Sequence, residues 1–281
     1  MNNEKKWIEQ ALKDVEASIL LYKNKLYSHS YFHFQQASEK GNKAFWLLDG
    51  QMKEKDLKSI SHNQFKIPKK TLTKNLENTK SFEFLEGIYP ELLQNLIYLK
   101  FKDISFIEYK NNIKGYQITI DRFRNTQTMD FETSHLENEL QTLNELMCYD
   151  NVSNDIFKEI KPVLKENEQW VKKYKKNCKN KEDLLFQIID YYSSLSPKAF
   201  FTFINDYTIL TQKLAYISCS LSACSFLTDK HNQTTRYPNA INNIFPLDYY
   251  DKSLNIVRYQ MKFLNHLKKG LNLLLYTYYP N

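Results

Sequence analysis

Glycine and proline are scarce here, five and seven among 281 residues. Sandwiches, barrels and other turn-rich folds need such punctuation, so its scarcity favours long helices. Arginine is scarcer still: Arg122, Arg124, Arg236 and Arg258 are the only four. The net charge of +7 is therefore carried almost wholly by lysine. It fits an anionic partner, but Lys- and Asn-rich usage also follows from AT-rich coding, so charge alone selects no function. Arginine is the better bidentate reader of phosphate, which makes each of the four worth following. Cys148, Cys178, Cys219 and Cys224 form no CxxC pair and have no His beside them at ligand spacing. Cys219 and Cys224 fall in an apolar helical stretch and read as buried free thiols. His29 and His33 share the i, i+4 spacing of helical metal pairs, yet no carboxylate or third ligand joins them. Neither a metal nor a cofactor is expected. No run of about 18 apolar residues exists to span a membrane. The first thirty residues alternate charge with apolar side chains, unlike a signal peptide. The expectation is a cytoplasmic, reduced protein. Glycine-rich phosphate loops, G-x-S-x-G and H-E-x-x-H are all missing.

What is present is a substantial core: 42% apolar residues, with 20 Tyr and 18 Phe. Ile8, Ala11, Leu12, Val15, Ile19, Tyr22 and Leu26 recur at helical spacing and predict a helix over 4–26. Ser28 is placed to cap a second helix reaching Leu48, stopped by Asp49-Gly50. The short connection implies an antiparallel hairpin. Residues 51–80 read as polar and lysine-rich, and Pro90 interrupts a helical pattern over 82–100. Tyr116 to Ile120 alternates like a strand but has no evident partner. Helical patterns return at 131–147, 152–176 and 182–192. Ser196-Pro197 opens a helix to about Leu227, flanked by small residues suited to close helix packing. A last helix carries Leu254, Val257, Met261, Leu264, Leu267 and Leu271 on one face.

Two segments resemble the HEPN family, named for a nucleotide-binding helical domain of higher eukaryotes and prokaryotes. The first runs from Trp7 to His62 and contains Ala11-Leu-Lys-Asp14, Tyr27-Ser-His-Ser-Tyr31 and Gln35-Gln36-Ala37-Ser38-Glu39-Lys40 up to Lys43-Ala44. The family's second helix reads Q-Q-A-x-E-K-x-x-K-A, and every specified position matches. Ser61-His62 falls where the family often carries a small residue and a His. The second segment is Thr235-Arg236-Tyr237-Pro238-Asn239-Ala240 followed by Tyr249-Tyr250, similar to the R-Y-P branch. The resemblance implies an all-α, antiparallel up-and-down bundle built from residues 1–65 and 201–281. Residues 66–200 would be a mainly helical insertion of unassigned family. It also implies a homodimer, a nucleotide or RNA ligand, and a setting in defence or toxin–antitoxin-like systems, often beside a nucleotidyltransferase.

Many members resemble metal-independent ribonucleases that place an Arg and a His four to six residues apart. The Arg stabilises phosphorane charge and the His moves the proton. No Arg of this chain has that spacing; Arg258 and His266 come nearest, with seven residues between them. Eight helical steps leave that pair about 80° apart around the axis. Arg236 and Tyr237 are the stronger candidates, the one for phosphate, the other for stacking on a base. The competing reading is a structural turn, with Arg236 paired to a carboxylate such as Glu39. Gln36, Lys40, Lys43 and Leu47 form one stripe that could share a groove with Arg236, or serve as a solvated lysine face with a Glu39–Lys43 ion pair. His62 is either a turn residue or a lining residue of that groove. Lys172 to Lys181 is the densest basic run, which usually means a solvated face rather than a grip on RNA. The leading expectation is a nucleotide- or RNA-binding module. A divergent endoribonuclease toxin and a non-catalytic interaction scaffold are the alternatives.

Overall fold

The computed structural model describes residues 3–50, 52–60, 130–147, 197–231, 234–237 and 245–280, with isolated positions within 66–118 and 172–191. Helix α1 (Asn3–Lys23) turns through Lys25, which takes a positive φ of 61°, into α2 (Tyr27–Leu48). Leu26 N–H bonds back to Leu21 O at 3.0 Å, closing the hairpin in three residues. Ile8, Ala11 and Val15 are fully buried at the expected spacing. The expected cap is corrected: Leu26 precedes the first turn, and Ser28 lies inside the helix with its hydroxyl near His29. Leu26 O accepts Ser30 N–H at 2.9 Å, the first bond within the helix. Gly50, at φ 69°, ends α2 in the left-handed conformation that favours glycine.

Short α3 (Glu54–Ile60) follows, then α4 (Thr133–Leu146), α5 (Pro197–Thr228) with a 3₁₀ turn at Asp229–His231, α6 (Pro246–Tyr249) and α7 (Asn255–Tyr278). All described elements are helical, and the fold is all-α. Contacts separate the chain into two compact units: Met1–Glu77, Asn111–Cys148 and Lys213–Asn281 form one, and Asn78–Lys110 with Tyr149–Gln212 the other. In the second unit the start of α5 is described, along with Lys172, Lys176 and Tyr191, which are exposed and helical. The rest of the lysine run lies outside the described residues, as do His62, Pro90, Pro238 and the helical pattern 152–171. Within the alternating stretch 116–120, Ile118 is helical rather than extended.

The first unit is an up-and-down bundle of α1, α2, the second half of α5, and α7. Directions follow from the cross-links: Asn42 Nδ2 donates to Leu221 O at 3.0 Å and Tyr31 OH to Leu227 O at 2.9 Å, so α2 and α5 are antiparallel. Gln260 of α7 donates to Ser30 Oγ at 2.7 Å and Ser18 Oγ at 3.2 Å, pinning three helices at one buried point. Helices approach closely where side chains vanish. A Cβ on Gly270 would sit 2.3 Å from Ser220 Oγ, and one on Gly41 would sit 2.8 Å from both Leu221 and Leu271. Cys224 is buried and donates to Phe263 O at 3.6 Å. Cys219, expected buried, is exposed; five helical steps carry it about 140° round α5 from Cys224.

Helix α4, drawn from the stretch 66–200, packs in this same unit. Leu136, Leu140 and Leu143, one face at i, i+4 and i+7, are buried in the core cluster. Just before it, Asp130 closes the start of α7: its two carboxylate oxygens accept Asn255 N–H and Ile256 N–H, both at 2.9 Å. Those amides have no partner within their own helix, and a carboxylate there is also attracted to the positive end of the helix dipole. Asp130→Ala is expected to cost about 1–2 kcal/mol in urea unfolding. No measurable loss would mean that water satisfies those amides equally well.

Candidate functional site

Helix α2 is the central helix, and most of its circumference is covered. Its accessible line is His29, Phe32, His33, Gln36, Lys40 and Leu47, spaced at i, i+3/4, i+7, i+11 and i+18. Polar and aromatic groups on the one open line of a central helix are the natural place to look for a ligand.

Two polar networks organise this line. In the first, Asp14 of α1 is buried and shared between Lys40 Nζ and His33 Nδ1, the latter at 3.0 Å. Burial would raise the Asp14 carboxyl's pKa, but the bonds from His33 and Lys40 and their charges outweigh it. The net effect holds the group below the ordinary carboxylate value. Sequence reasoning passed over Asp14 and His33 as a pair. The signal was there: Asp14 lies three residues after Ala11 and four before Ser18, on the buried line of α1. In the second network, Lys43 Nζ donates to Glu39 Oε1 at 2.6 Å and Gln35 Nε2 to Glu39 Oε2 at 3.1 Å. Gln36 Nε2 then donates to Gln35 Oε1 at 2.6 Å. Gln35, Glu39 and Lys43 are buried, and Lys43 also faces the Trp7 ring at 5.7 Å. Lys43 is therefore not at the surface with Gln36 and Lys40; its charge is spent on Glu39, the ion pair expected from their spacing.

The segment after α5 supplies the other side. His231 Nδ1 lies 2.6 Å from Tyr250 OH, and both rings contact Tyr31, Tyr250 as a stack at 5.5 Å. Thr234 Oγ1 is 2.9 Å from the same hydroxyl. Burial, with neighbouring Tyr250, pushes the Tyr31 phenol far above its ordinary pKa, so it stays a neutral donor. Thr235 bonds His231 O through both Oγ1, at 2.9 Å, and its amide, at 3.1 Å. That anchored turn delivers Arg236, whose guanidinium carbon sits 4.7 Å from the centre of the Phe32 ring. Arg236 Nε is buried without a hydrogen-bond partner among the described residues. Glu39, the carboxylate considered for it, is occupied by Lys43 and Gln35. Tyr237 beside it is 66% exposed. Phe32 thus links Arg236 to His33, whose ring meets it at 5.2 Å, and Gln36 lies one helical turn further along the same line.

Arg258 and His266 are held apart. Arg258 is exposed and donates to Asn255 Oδ1, whereas His266 is buried against α5 with Nδ1 2.9 Å from Tyr216 OH. Burial first, then the charge of Lys269, lowers the His266 pKa and favours neutral imidazole. Among the described residues no group of His, Cys, Asp and Glu is arranged to hold a metal. No described helix is long and apolar enough to cross a membrane.

No curated protein and no solved structure matches the chain. Its two resemblance-bearing segments nonetheless meet in space, at Tyr31 against Tyr250 and Phe32 against Arg236. The family model described as HEPN domain matches residues 4–91, taking in α1, α2 and α3, so this segment of the chain is similar to a HEPN domain.

Proposed function

We propose that this chain is a nucleotide- or RNA-binding module, with Arg236, Tyr237, Phe32, His33, Gln36 and Lys40 as the contact surface. The observation that carries the reading is Arg236: a half-buried guanidinium over the Phe32 ring, with a buried Nε–H that has no partner among the described residues. A guanidinium is fully charged and presents planar donors suited to phosphate. Tyr237, exposed beside it, offers a ring on which a base can stack. Lys40, although shared with Asp14, adds positive charge on the same open line. A homodimeric assembly, a nucleotidyltransferase partner and a place in a defence or toxin–antitoxin-like system belong to the same proposal. They rest on the family resemblance.

A second reading, a divergent metal-independent ribonuclease, is favoured by one feature. His266 is a neutral imidazole oriented by Tyr216, with Lys269 one turn away. A general base needs that protonation state. One experiment separates the two. Purified protein is mixed with labelled RNAs and mononucleotides without added metal, and both retention and cleavage are recorded. Retention without cleavage, weakened about tenfold to a hundredfold by Arg236→Ala, is the expected result. Retention indifferent to Arg236→Ala, or none, rejects the binding surface and shifts weight to a protein-interaction scaffold. Cleavage abolished by His266→Ala or Arg258→Ala would make the chain a ribonuclease.

A further inference from the structure

The hydrogen-bond chain through Gln36 has a direction that its chemistry fixes. It begins at Lys43, an ammonium that can only donate, and passes to Glu39, an ionised carboxylate that can only accept. Gln35 must therefore turn its Nε2 toward Glu39 Oε2, which it meets at 3.1 Å. That leaves Gln35 Oε1, an acceptor, facing Gln36. Gln36 in turn must direct its Nε2 inward, and does so at 2.6 Å. Carboxamide oxygen and nitrogen are normally interchangeable by a flip. Here neither glutamine can flip without setting an oxygen against an oxygen. The first three members are buried, so water cannot step in to relax the order.

The consequence appears at the surface. Gln36 is half-buried on the open line of α2, one turn from Phe32, over whose ring the Arg236 guanidinium lies. With its nitrogen drawn inward, the group that Gln36 presents outward is its carbonyl oxygen. We infer that Gln36 is the specificity-determining residue of this surface. It selects nucleotides whose base offers an exocyclic amino hydrogen, as adenine, cytosine and guanine do, over bases that carry no amino group. The inference rests on the nucleotide-binding reading above. Arg236 holds the phosphate and Gln36 reads the base. The charged Lys43–Glu39 pair thereby acquires a role in recognition without touching the ligand. It is a positioning pair that sets which end of Gln36 faces out.

The test compares AMP with purine riboside 5′-monophosphate, which differs by lacking the 6-amino group. A short oligoadenylate and its purine-riboside counterpart are titrated in parallel. Wild-type protein should bind the amino-bearing member of each pair about two- to tenfold more tightly, the factor one neutral hydrogen bond supplies. Gln36→Met, at an accessible helix position that methionine suits, should bring both members to the weaker affinity. Gln35→Met, which frees Gln36 to rotate while leaving it in place, should shrink the discrimination without abolishing binding. A thermal melt of each variant confirms that the bundle is folded at the temperature used. Arg236-dependent binding with no preference for the amino group overturns this inference and leaves the binding surface standing. Absence of Arg236-dependent binding to any of the four ligands removes both.

Discussion

Replacing Glu39 by alanine is expected to cost about 3–5 kcal/mol of stability, because it strands a buried ammonium. Lys43 is 7% exposed, and its bonds are the one to Glu39 at 2.6 Å and a cation–π contact with Trp7. The Trp7 ring does not replace the carboxylate as an acceptor of a charged hydrogen bond. Gln35 would lose its acceptor at the same time and leave a second buried donor unmatched. The measurement is urea unfolding of Glu39→Ala beside Glu9→Ala, whose carboxylate lies exposed on α1. A double variant, Glu39→Leu with Lys43→Met, should recover most of the loss, since well-packed apolar replacements of buried pairs are commonly neutral. A loss below about 1 kcal/mol in the single variant would show that Lys43 escapes to solvent at little cost.

Tyr31→Ala should be comparably severe, about 3–5 kcal/mol, for a different reason. Tyr31 is fully buried and meets Phe34 edge-on, His231 edge-on and Tyr250 face to face. Removing its ring opens a cavity where α2, the turn after α5 and the end of α6 converge. Tyr31→Phe keeps the ring and removes one hydroxyl, leaving Leu227 O without the donor it meets at 2.9 Å. That variant should lose about 1 kcal/mol. The pair of values separates packing from hydrogen bonding. If Tyr31→Phe were as damaging as Tyr31→Ala, the hydroxyl rather than the ring would be holding the segments together. Because Thr235 hangs from His231, the alanine variant should also weaken ligand binding through Arg236.

Much of the bundle was legible in the sequence, for reasons specific to each element. Helices α1, α2 and α7 announce themselves because a buried stripe recurs every three to four residues, and Asp49-Gly50 marks the end of α2. Periodicity says that a face is covered but not by what. Leu136, Leu140 and Leu143 therefore predicted a helix without revealing that it packs with α7. Arg236 stood out because arginine is rare here, yet its partner Phe32 is two hundred residues away and carries no local signature. Lys40 and Lys43 look alike on a helical wheel; only the fold shows one on the open line and the other sealed beside Trp7.

The buried junction of Ser18, Ser30 and Gln260 also sets a schedule for synthesis. Each serine hydroxyl donates to the other's backbone carbonyl early, but the glutamine that completes the junction lies 230 residues after Ser30. At ribosomal elongation rates, roughly 10–50 s pass between the emergence of the hairpin and that of its last partner helix. Throughout that interval the flank of α2 that will meet α5 and α7 is bare. The nascent chain should accordingly be a strong client for chaperones that shield exposed apolar surface, and that dependence should end once α7 has cleared the ribosome.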